Sequence, residues 1–170
     1  MLTEITPDGL DYIACNMREV DQAEIYNLLA HDNWVRFSWE AYHLILNNGR
    51  GRLAWHNGRP CGIGAFTECR PGVWDVWMLG TNDFRAGAVP LLRWGRKEAN
   101  DILSVCKGIR LQCDSRVGHP EAHKMITAMG GLPEGPPMTS YGKDGSAYQR
   151  YVWLPGENDA VLKPGFVRAA

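Results

Sequence analysis

Residues 73–103 read VWDVWMLGTNDFRAGAVPLLRWGRKEANDIL, and this stretch decides the fold. Its first seven residues, 73–79, are rich in Val and Trp and predict a β-strand. A polar loop with two glycines follows over residues 80–87, and Pro90 fits the first turn of a long helix that ends near Val105. The stretch therefore predicts a strand that enters a long helix through a short polar loop.

Upstream of this stretch, the sequence predicts an antiparallel hairpin. Its strands cover residues 52–56 and 61–66, and Asn57-Gly58 lies between them. This dipeptide is a strong hairpin signal because both central residues of a type I′ turn need positive φ. The strand at 73–79 then follows as the third antiparallel strand.

The first 50 residues predict a strand and two helices. Residues 11–17 alternate as a first strand, and residues 18–29 carry a helical stripe. Ser38 is a good N-cap for a short second helix over residues 39–46, which Asn47-Asn48-Gly49 ends.

Downstream of the long helix, residues 109–113 predict a short strand. A helix that Pro120 opens runs from there to Met129. The order strand, helix, strand, helix implies a parallel crossover. Residues 138–141 and 148–153 then predict a final hairpin.

Composition predicts one domain, over residues 1–154, and the loss of periodicity after Pro155 predicts a surface tail over 155–170. Of the 170 residues, 45% are hydrophobic and seven are Trp, enough for one core. The charges nearly cancel, with 18 basic and 19 acidic residues, which argues against a nucleic-acid binder. Neither a signal peptide nor a membrane span is recognised, so synthesis and retention in the cytoplasm are expected. The five irregularly spaced cysteines indicate a reducing compartment and are expected to be small buried hydrophobes.

The predicted element order, βααβββαβα followed by a hairpin, resembles the N-acetyltransferases of the GNAT superfamily over residues 10–153. The resemblance implies an α+β fold in which about four helices flank a mixed twisted sheet of six or seven strands. That family binds acetyl-CoA where the fourth strand meets the long helix, in a Gln/Arg-x-x-Gly-x-Gly/Ala loop whose amides hold the pyrophosphate.

The matching segment departs from the family's loop pattern, because Phe84 occupies the position three residues before Gly87 and Arg85 is displaced by one. The positions that the resemblance implies for cofactor contact are Leu79, Gly80, Phe84, Arg85, Gly87 and Ala88. The family's general acid, a Tyr on the later helix, aligns with Ile126, which has no proton to give. Tyr141 and Tyr148 are the alternatives.

A second resemblance lies in four segments, WDVWMLGTNDF (74–84), RLQC (110–113), HPEAH (119–123) and YGKDG (141–145). They are similar to the small GNAT-like internal virion proteins of short-tailed bacteriophages. The resemblance implies a virion protein made in the host cytoplasm that contacts portal, core or tail proteins, supports assembly or genome ejection, and could form a homo-oligomer or ring. No cofactor, metal or specific nucleic acid is expected in that role.

Three function hypotheses therefore remain open, the third of them a host-directed inhibitor protein. The preferred one is a structural virion protein with a degenerate acetyltransferase fold, and the alternative is an active acetyl-CoA-dependent N-acetyltransferase. Glu68, at the end of a strand, is a candidate general base, although an ordinary surface role explains it as well. His119 and His123 lie four residues apart, but no third ligand completes a metal site.

Overall fold

The computed structural model describes residues 1–156, and most of the predicted tail lies outside this range. The strands of the described residues are β1 (Leu2–Thr3), β2 (Gly49–His56), β3 (Arg59–Arg70), β4 (Val73–Gly80), β5 (Arg110–Arg116), β6 (Leu132–Pro133) and β7 (Tyr148–Trp153). The helices are α1 (Pro7–Cys15), α2 (Glu19–Ile25), α3 (Trp34–Asn48), α4 (Phe84–Ser104) and α5 (Pro120–Ala128). One seven-stranded sheet has the order β1-β2-β3-β4-β5-β7-β6.

The sheet confirms the predicted hairpin and the predicted crossover. Asn57 and Gly58 have φ values of 48° and 75°, as the turn between β2 and β3 requires. β4 pairs with β3 antiparallel and with β5 parallel, and α4 connects β4 to β5. The mixed α+β fold expected from the sequence is therefore present.

The predicted first strand is wrong, because residues 11–17 lie mostly within helix α1. Thr6 caps this helix by accepting a hydrogen bond from the Gly9 amide, and Pro7 occupies its first turn. Leu10 and Ile13 are then fully buried on one helical face. Capping and the spacing of buried residues outweighed the short alternation, and the true first strand is β1.

The two helices predicted next have different bounds. α2 covers only Glu19–Ile25, and Val20 on the predicted stripe is exposed. α3 begins at Trp34 because Asn33 caps it through a hydrogen bond from the Arg36 amide, so Ser38 is an interior residue. The hydroxyl of Ser38 donates to the Asp11 carboxylate on α1 instead of capping a helix.

Helix α4 starts at Phe84, so Pro90 is an interior residue and the prediction that it opens the helix is wrong. Phe84 is buried, and a Cβ added to Gly87 would lie 2.6 Å from Ala54 Cβ. Contact with the sheet therefore stabilises the first turns of α4 ahead of the proline. The predicted end of the helix near Val105 is confirmed.

The final hairpin is confirmed only in part. β7 covers Tyr148–Trp153 as expected, but Met138 forms only an isolated bridge with Tyr148. The strand that pairs with β7 on its outer side is β6, in which Leu132 and Pro133 lie opposite Val152 and Tyr151. α5 opens at Pro120 as predicted.

Helices cover both faces of the sheet. On one face, α1 and α3 pack with the β4 side chains Trp77 and Leu79. On the other face, α4 and α5 pack with Val76 of β4 and Leu111 of β5. The tryptophans 74 and 77 thus point to opposite faces, as their spacing predicts. Three layers result, with the sheet in the middle.

The prediction that all five cysteines are buried is wrong for three of them. Cys61 is buried and Cys113 is half-buried, whereas Cys15, Cys69 and Cys106 are exposed. The exposed three lie within two residues of the ends of α1, β3 and α4. All five are free thiols.

Candidate active site

Strands β4 and β5 separate soon after they meet. Their parallel pairing covers three residue pairs, from Val73↔Arg110 to Asp75↔Gln112. Beyond these pairs β4 continues to Gly80 and β5 to Arg116. The two strands therefore form a V that opens toward their carboxyl ends.

A cleft of about 590 Å³ occupies this V. Its lining side chains come from both faces of the sheet. From the face of α4 and α5 come Met78, Ala88, Cys113, Met125 and Met129. From the face of α1 to α3 come Asp21, Glu24, Ile25, Leu28 and Trp77. The cleft consequently reaches through the sheet from one helical layer to the other.

At the far end of β4, the backbone of Gly80 is held by residues at the start of α2. The Gly80 amide donates to Asp21 Oδ2 at 2.8 Å, and the Gly80 carbonyl accepts from the Arg18 amide at 3.0 Å. Asp21 is 3% exposed and forms a bidentate ion pair with the Arg18 guanidinium, at 2.7 and 3.0 Å. Successive residues of a strand direct their N–H and C=O to opposite edges, so residues two apart share an edge. The N–H and C=O of Met78 therefore point to the same edge of β4 as those of Gly80.

The predicted cofactor segment divides between the core and the cleft. Leu79 is fully buried and Gly80 is bonded to α2, whereas Phe84, Arg85 and Ala88 line the cleft. A Cβ added to Gly87 would lie 2.7 Å from Cys61 Sγ, so the close approach that Gly87 allows is to the sheet. Cofactor contact at these six positions stays a prediction.

The mouth of the cleft near the start of α4 carries paired charges. Arg85 Nη2 donates to Glu121 Oε1 at 2.7 Å, and Arg18 Nη1 lies 3.9 Å from Glu121 Oε2. The Arg18 guanidinium also stacks over the Phe84 ring, 4.4 Å from its centroid. Two arginines beside a helix N-terminus suit a diphosphate, with two carboxylates competing for them, Glu121 for both and Asp21 for Arg18.

His119 and Glu24 meet across the cleft from different layers. Glu24 lies on α2, and His119 immediately precedes α5. Glu24 Oε2 binds His119 Nδ1, and Glu24 Oε1 also accepts from the Arg116 amide at 3.3 Å. The hydrogen bond that His119 donates to Glu24 raises the pKa of His119, although burial opposes this.

Two buried polar atoms in this region have no hydrogen-bond partner among residues 1–156: His119 Nε2 and Ser115 Oγ. Both residues line the cleft. Buried polar groups in native proteins are nearly always hydrogen-bonded, so two buried polar atoms without partners in one cleft are unusual. A ligand group in the cleft would satisfy them.

The two tyrosines that sequence analysis named as substitute acids are both hydrogen-bonded. Tyr141 lines the cleft, and its hydroxyl donates to Asp114 Oδ2 at 2.8 Å. The Tyr148 hydroxyl donates to the Glu24 carbonyl at 2.8 Å. Burial is the main cause that raises the pKa of each. Ile126, at the family's tyrosine position, also lines the cleft and offers no proton.

Glu68, the candidate base, lies near the opposite end of β4, where it pairs in register with Trp74. Its Oε1 accepts from the Gly72 amide at 2.8 Å, which stabilises the turn between β3 and β4. It is not among the described residues that line the cleft. A catalytic role for Glu68 stays a prediction, and the contact seen is structural.

Within residues 1–156, no group of three or more His, Cys, Asp or Glu side chains could hold a metal ion. Over the same residues, none of the helices has the length and apolar character needed to cross a membrane. The His119 and His123 pair is thus not part of a larger ligand set in this range.

Several solved structures with this architecture are acetyltransferases. The spermidine N-acetyltransferase from Vibrio cholerae, in complex with CoA and spermine, has a TM-score of 0.69 and 10% identity over 93% of this chain and 96% of its own. Aminoglycoside acetyltransferase AAC(6')-Ib, in complex with coenzyme A and kanamycin, has a TM-score of 0.63 and 16% identity over 96% and 99%. No family model and no curated protein matches the chain.

At such low identity, these likenesses establish the fold alone: the chain has the GNAT acetyltransferase fold. The resemblance to internal virion proteins finds no counterpart in these two neighbours and stays a prediction. The sequence alone does not predict Arg18, Asp21 and Glu24 as parts of the cleft. Each of these three residues takes its place in the cleft through a contact with a residue distant in sequence, namely Phe84, Gly80 and His119 respectively. No local sequence pattern predicts such contacts.

Proposed function

We propose that the protein binds acetyl-CoA in the cleft between β4 and β5 and transfers the acetyl group to an amine. The observation that carries this proposal is the passage of the cleft through the sheet, with lining residues from both helical layers. Two reactants can then approach one another from opposite faces, which gives the positioning that a bimolecular transfer requires.

The two sides of the cleft suit different ligands. The side next to α4 and α5 is apolar, with Met78, Met125 and Met129, and leads to Arg85 at the helix N-terminus. This side fits a pantetheine arm and its diphosphate, with the free edge of β4 at Met78 available for amide hydrogen bonds. Acetyl-CoA, when bound there, supplies the acetyl group as an activated thioester.

The side next to α2 is acidic and fits a cationic amine. Asp21, Glu24, Asp75 and Asp114 all line the cleft, and carboxylates remain in excess although Arg18 pairs with Asp21 and Arg150 with Asp114. Carboxylates in a partly closed cleft attract and orient an ammonium group. The neighbours that carry spermine and kanamycin, both of which have several amino groups, support an amine as the acceptor class.

A thermal-melt titration with acetyl-CoA tests the cofactor half of this proposal. Ligand at about 100 times its dissociation constant adds about 2.7 kcal/mol to stability, which corresponds to roughly 5–10 °C for a domain of this size. Ala88→Trp, which fills the cleft mouth, is expected to abolish the shift. Val89→Trp is the matched control because Val89 is exposed on the next position of α4. A flat titration of the wild-type protein at millimolar acetyl-CoA contradicts the proposal.

A second candidate function is the partner-binding virion role, supported by an exposed apolar row on α3. Val35, Trp39 and Leu46 are 54%, 63% and 64% exposed and share one helical face. Exposed apolar patches commonly mark protein interfaces. In this candidate, the row contacts other virion proteins or a second copy of the chain, as in a ring within the particle.

Sedimentation of the purified protein tests self-association through this row. Trp39→Glu together with Leu46→Glu is expected to shift an oligomer to monomer, whereas Glu19→Lys on exposed α2 surface leaves it unchanged. A monomer at all concentrations removes the ring, and binding to purified portal, core or tail proteins then decides the virion role.

A further inference from the structure

The pair formed by Glu24 and His119 has the arrangement of an acid–base dyad. Glu24 binds Nδ1 of the imidazole, which leaves Nε2 as the second functional atom of the ring. Nε2 has no partner among the described residues, and the His119 side chain lines the cleft while 7% exposed. A carboxylate on one ring nitrogen fixes the proton there and leaves a lone pair on the other.

We propose that His119 Nε2 is the base that takes the proton from the attacking amine, with Glu24 as the residue that positions its ring. Such a role presupposes the acetyl transfer proposed above. His119 differs from the two positions considered for proton transfer from the sequence. The family's tyrosine is Ile126 in this chain, and Glu68 does not line the cleft.

The proton balance of this step closes on the residues present. The ammonium first loses one proton to solvent, and the neutral amine nitrogen then forms a bond to the thioester carbonyl carbon, the C–S bond breaks, and the sulfur leaves as a thiolate. The amine loses one proton to Nε2, and His119 then returns that proton to the thiolate. Glu24 stabilises the imidazolium that exists between the two transfers, as a carboxylate does for a histidine base.

The charges around His119 set the pH at which this base is available. Glu24 and Asp21 on α2 favour the protonated ring, and Arg18 before α2 opposes it. Glu121 on α5 also interacts with the charge of His119, which contributes to lowering the pKa of Glu121. On the side of β7, the Tyr148 hydroxyl donates to the Glu24 backbone carbonyl. Because Glu24 raises the pKa of His119, activity should fall on the acid side at a pH above the ordinary value for His, about 6.5.

The test compares His119→Gln with His123→Gln. His123 is a matched control one turn away, whose Nε2 is already bonded to the Arg116 carbonyl at 3.0 Å. The readouts are CoA affinity and thiol release from acetyl-CoA, with spermidine and kanamycin as acceptor probes. His119→Gln is expected to lower kcat by about 10²- to 10⁴-fold and to leave CoA affinity within about threefold. His123→Gln is expected to match the wild type in both.

Glu24→Gln separates positioning from simple structural support. Without the carboxylate the pKa of His119 drops, so the acid limb of the kcat profile should move to lower pH while activity at the plateau falls. An unmoved acid limb, or an unchanged kcat in His119→Gln, overturns the proposal. Reduced CoA affinity with unchanged kcat in His119→Gln also overturns it, because His119 would then be a binding contact.

Nuclear magnetic resonance of the imidazole nitrogens keeps the test decisive if neither probe is acetylated. With CoA bound, the Nε2 signal of His119 should shift and that of His123 should not. A bound CoA that leaves the His119 signal unmoved overturns the proposal while the cofactor site stands. Failure of the wild type to bind CoA at all is a separate result, which removes the proposed function and this role together.

Discussion

The two edges of β4 are held in different ways. Toward β3, the strand pairs along its whole length, from Arg70↔Val73 to Gly62↔Gly80. Toward β5, the pairing stops after Asp75↔Gln112. Where the backbone partner is missing, the Asp21 side chain and the Arg18 amide take over at Gly80, and the rest of the edge faces the cleft. A sheet can therefore open for a ligand provided that polar side chains satisfy the end of the strand.

Removing Asp21 tests the side-chain support at the open edge and should have the largest effect. Asp21→Ala leaves the Arg18 guanidinium without its bidentate partner and the Gly80 amide without an acceptor. Breaking a buried ion pair from one side costs about 3–5 kcal/mol. For a domain of this size the midpoint of thermal unfolding should fall by roughly 10 °C, measured by calorimetry.

The control for Asp21→Ala is Glu19→Ala, in the same first turn of α2 but exposed. Its effect should stay below about 1 kcal/mol, the scale of a helix-terminus charge. Equal destabilisation by the two substitutions would show that helix α2, rather than the support of Gly80, is what Asp21 stabilises.

Substitution of Gly87 tests the closed side, where α4 packs on the β2–β3 hairpin. A new Cβ would lie 2.6 Å from Ala54 Cβ and 2.7 Å from Cys61 Sγ. Gly87→Ala should therefore destabilise by about 1–3 kcal/mol, although the same change in an exposed helix stabilises by about 0.5–1 kcal/mol. Urea denaturation measures the difference, and Ala86→Ser at the exposed neighbouring position is the control.

An unchanged or increased stability of Gly87→Ala would mean that the helix moves away from the sheet at little cost. In that case the contrast between a closed and an open edge of β4 would lose its physical basis.

The smallest expected effect concerns the charge at the mouth of the cleft. Glu121→Gln releases Arg85 from its 2.7 Å ion pair. Arg85 should then bind CoA phosphates better, with a dissociation constant about two- to fivefold lower in low-salt titration calorimetry. Glu134→Gln, which breaks a comparable pair with Arg110 away from the cleft, is the control. Weaker CoA binding in Glu121→Gln would place the phosphates elsewhere.

Local signals account for the parts of the fold that sequence predicted well. Asn57-Gly58 fixes the β2–β3 turn, and the run of Val and Trp in β4 needs burial on both faces, which the two helical layers provide. The failures come from competing signals. Thr6-Pro7 caps a helix that a seven-residue alternation hid, and sheet contacts at Phe84 start α4 ahead of Pro90.

Only the part of the candidate site that is continuous in sequence could be predicted. The segment from Leu79 to Ala88 carries its own pattern, and three of its six named residues line the cleft. Glu24 and His119 are 95 residues apart in sequence, and no periodicity links them. The two residues meet because α2 and the start of α5 lie on opposite sides of the cleft between β4 and β5. That arrangement depends on packing between elements distant in sequence.

The passage of the cleft through the sheet also has a consequence for steady-state kinetics under the proposed function. Because the lining comes from both layers, neither reactant needs to leave before the other enters. Double-reciprocal plots at several fixed amine concentrations should intersect instead of running parallel. The architecture thus favours a sequential rate law over a ping-pong one, with no acetylated form of the protein between the two reactants.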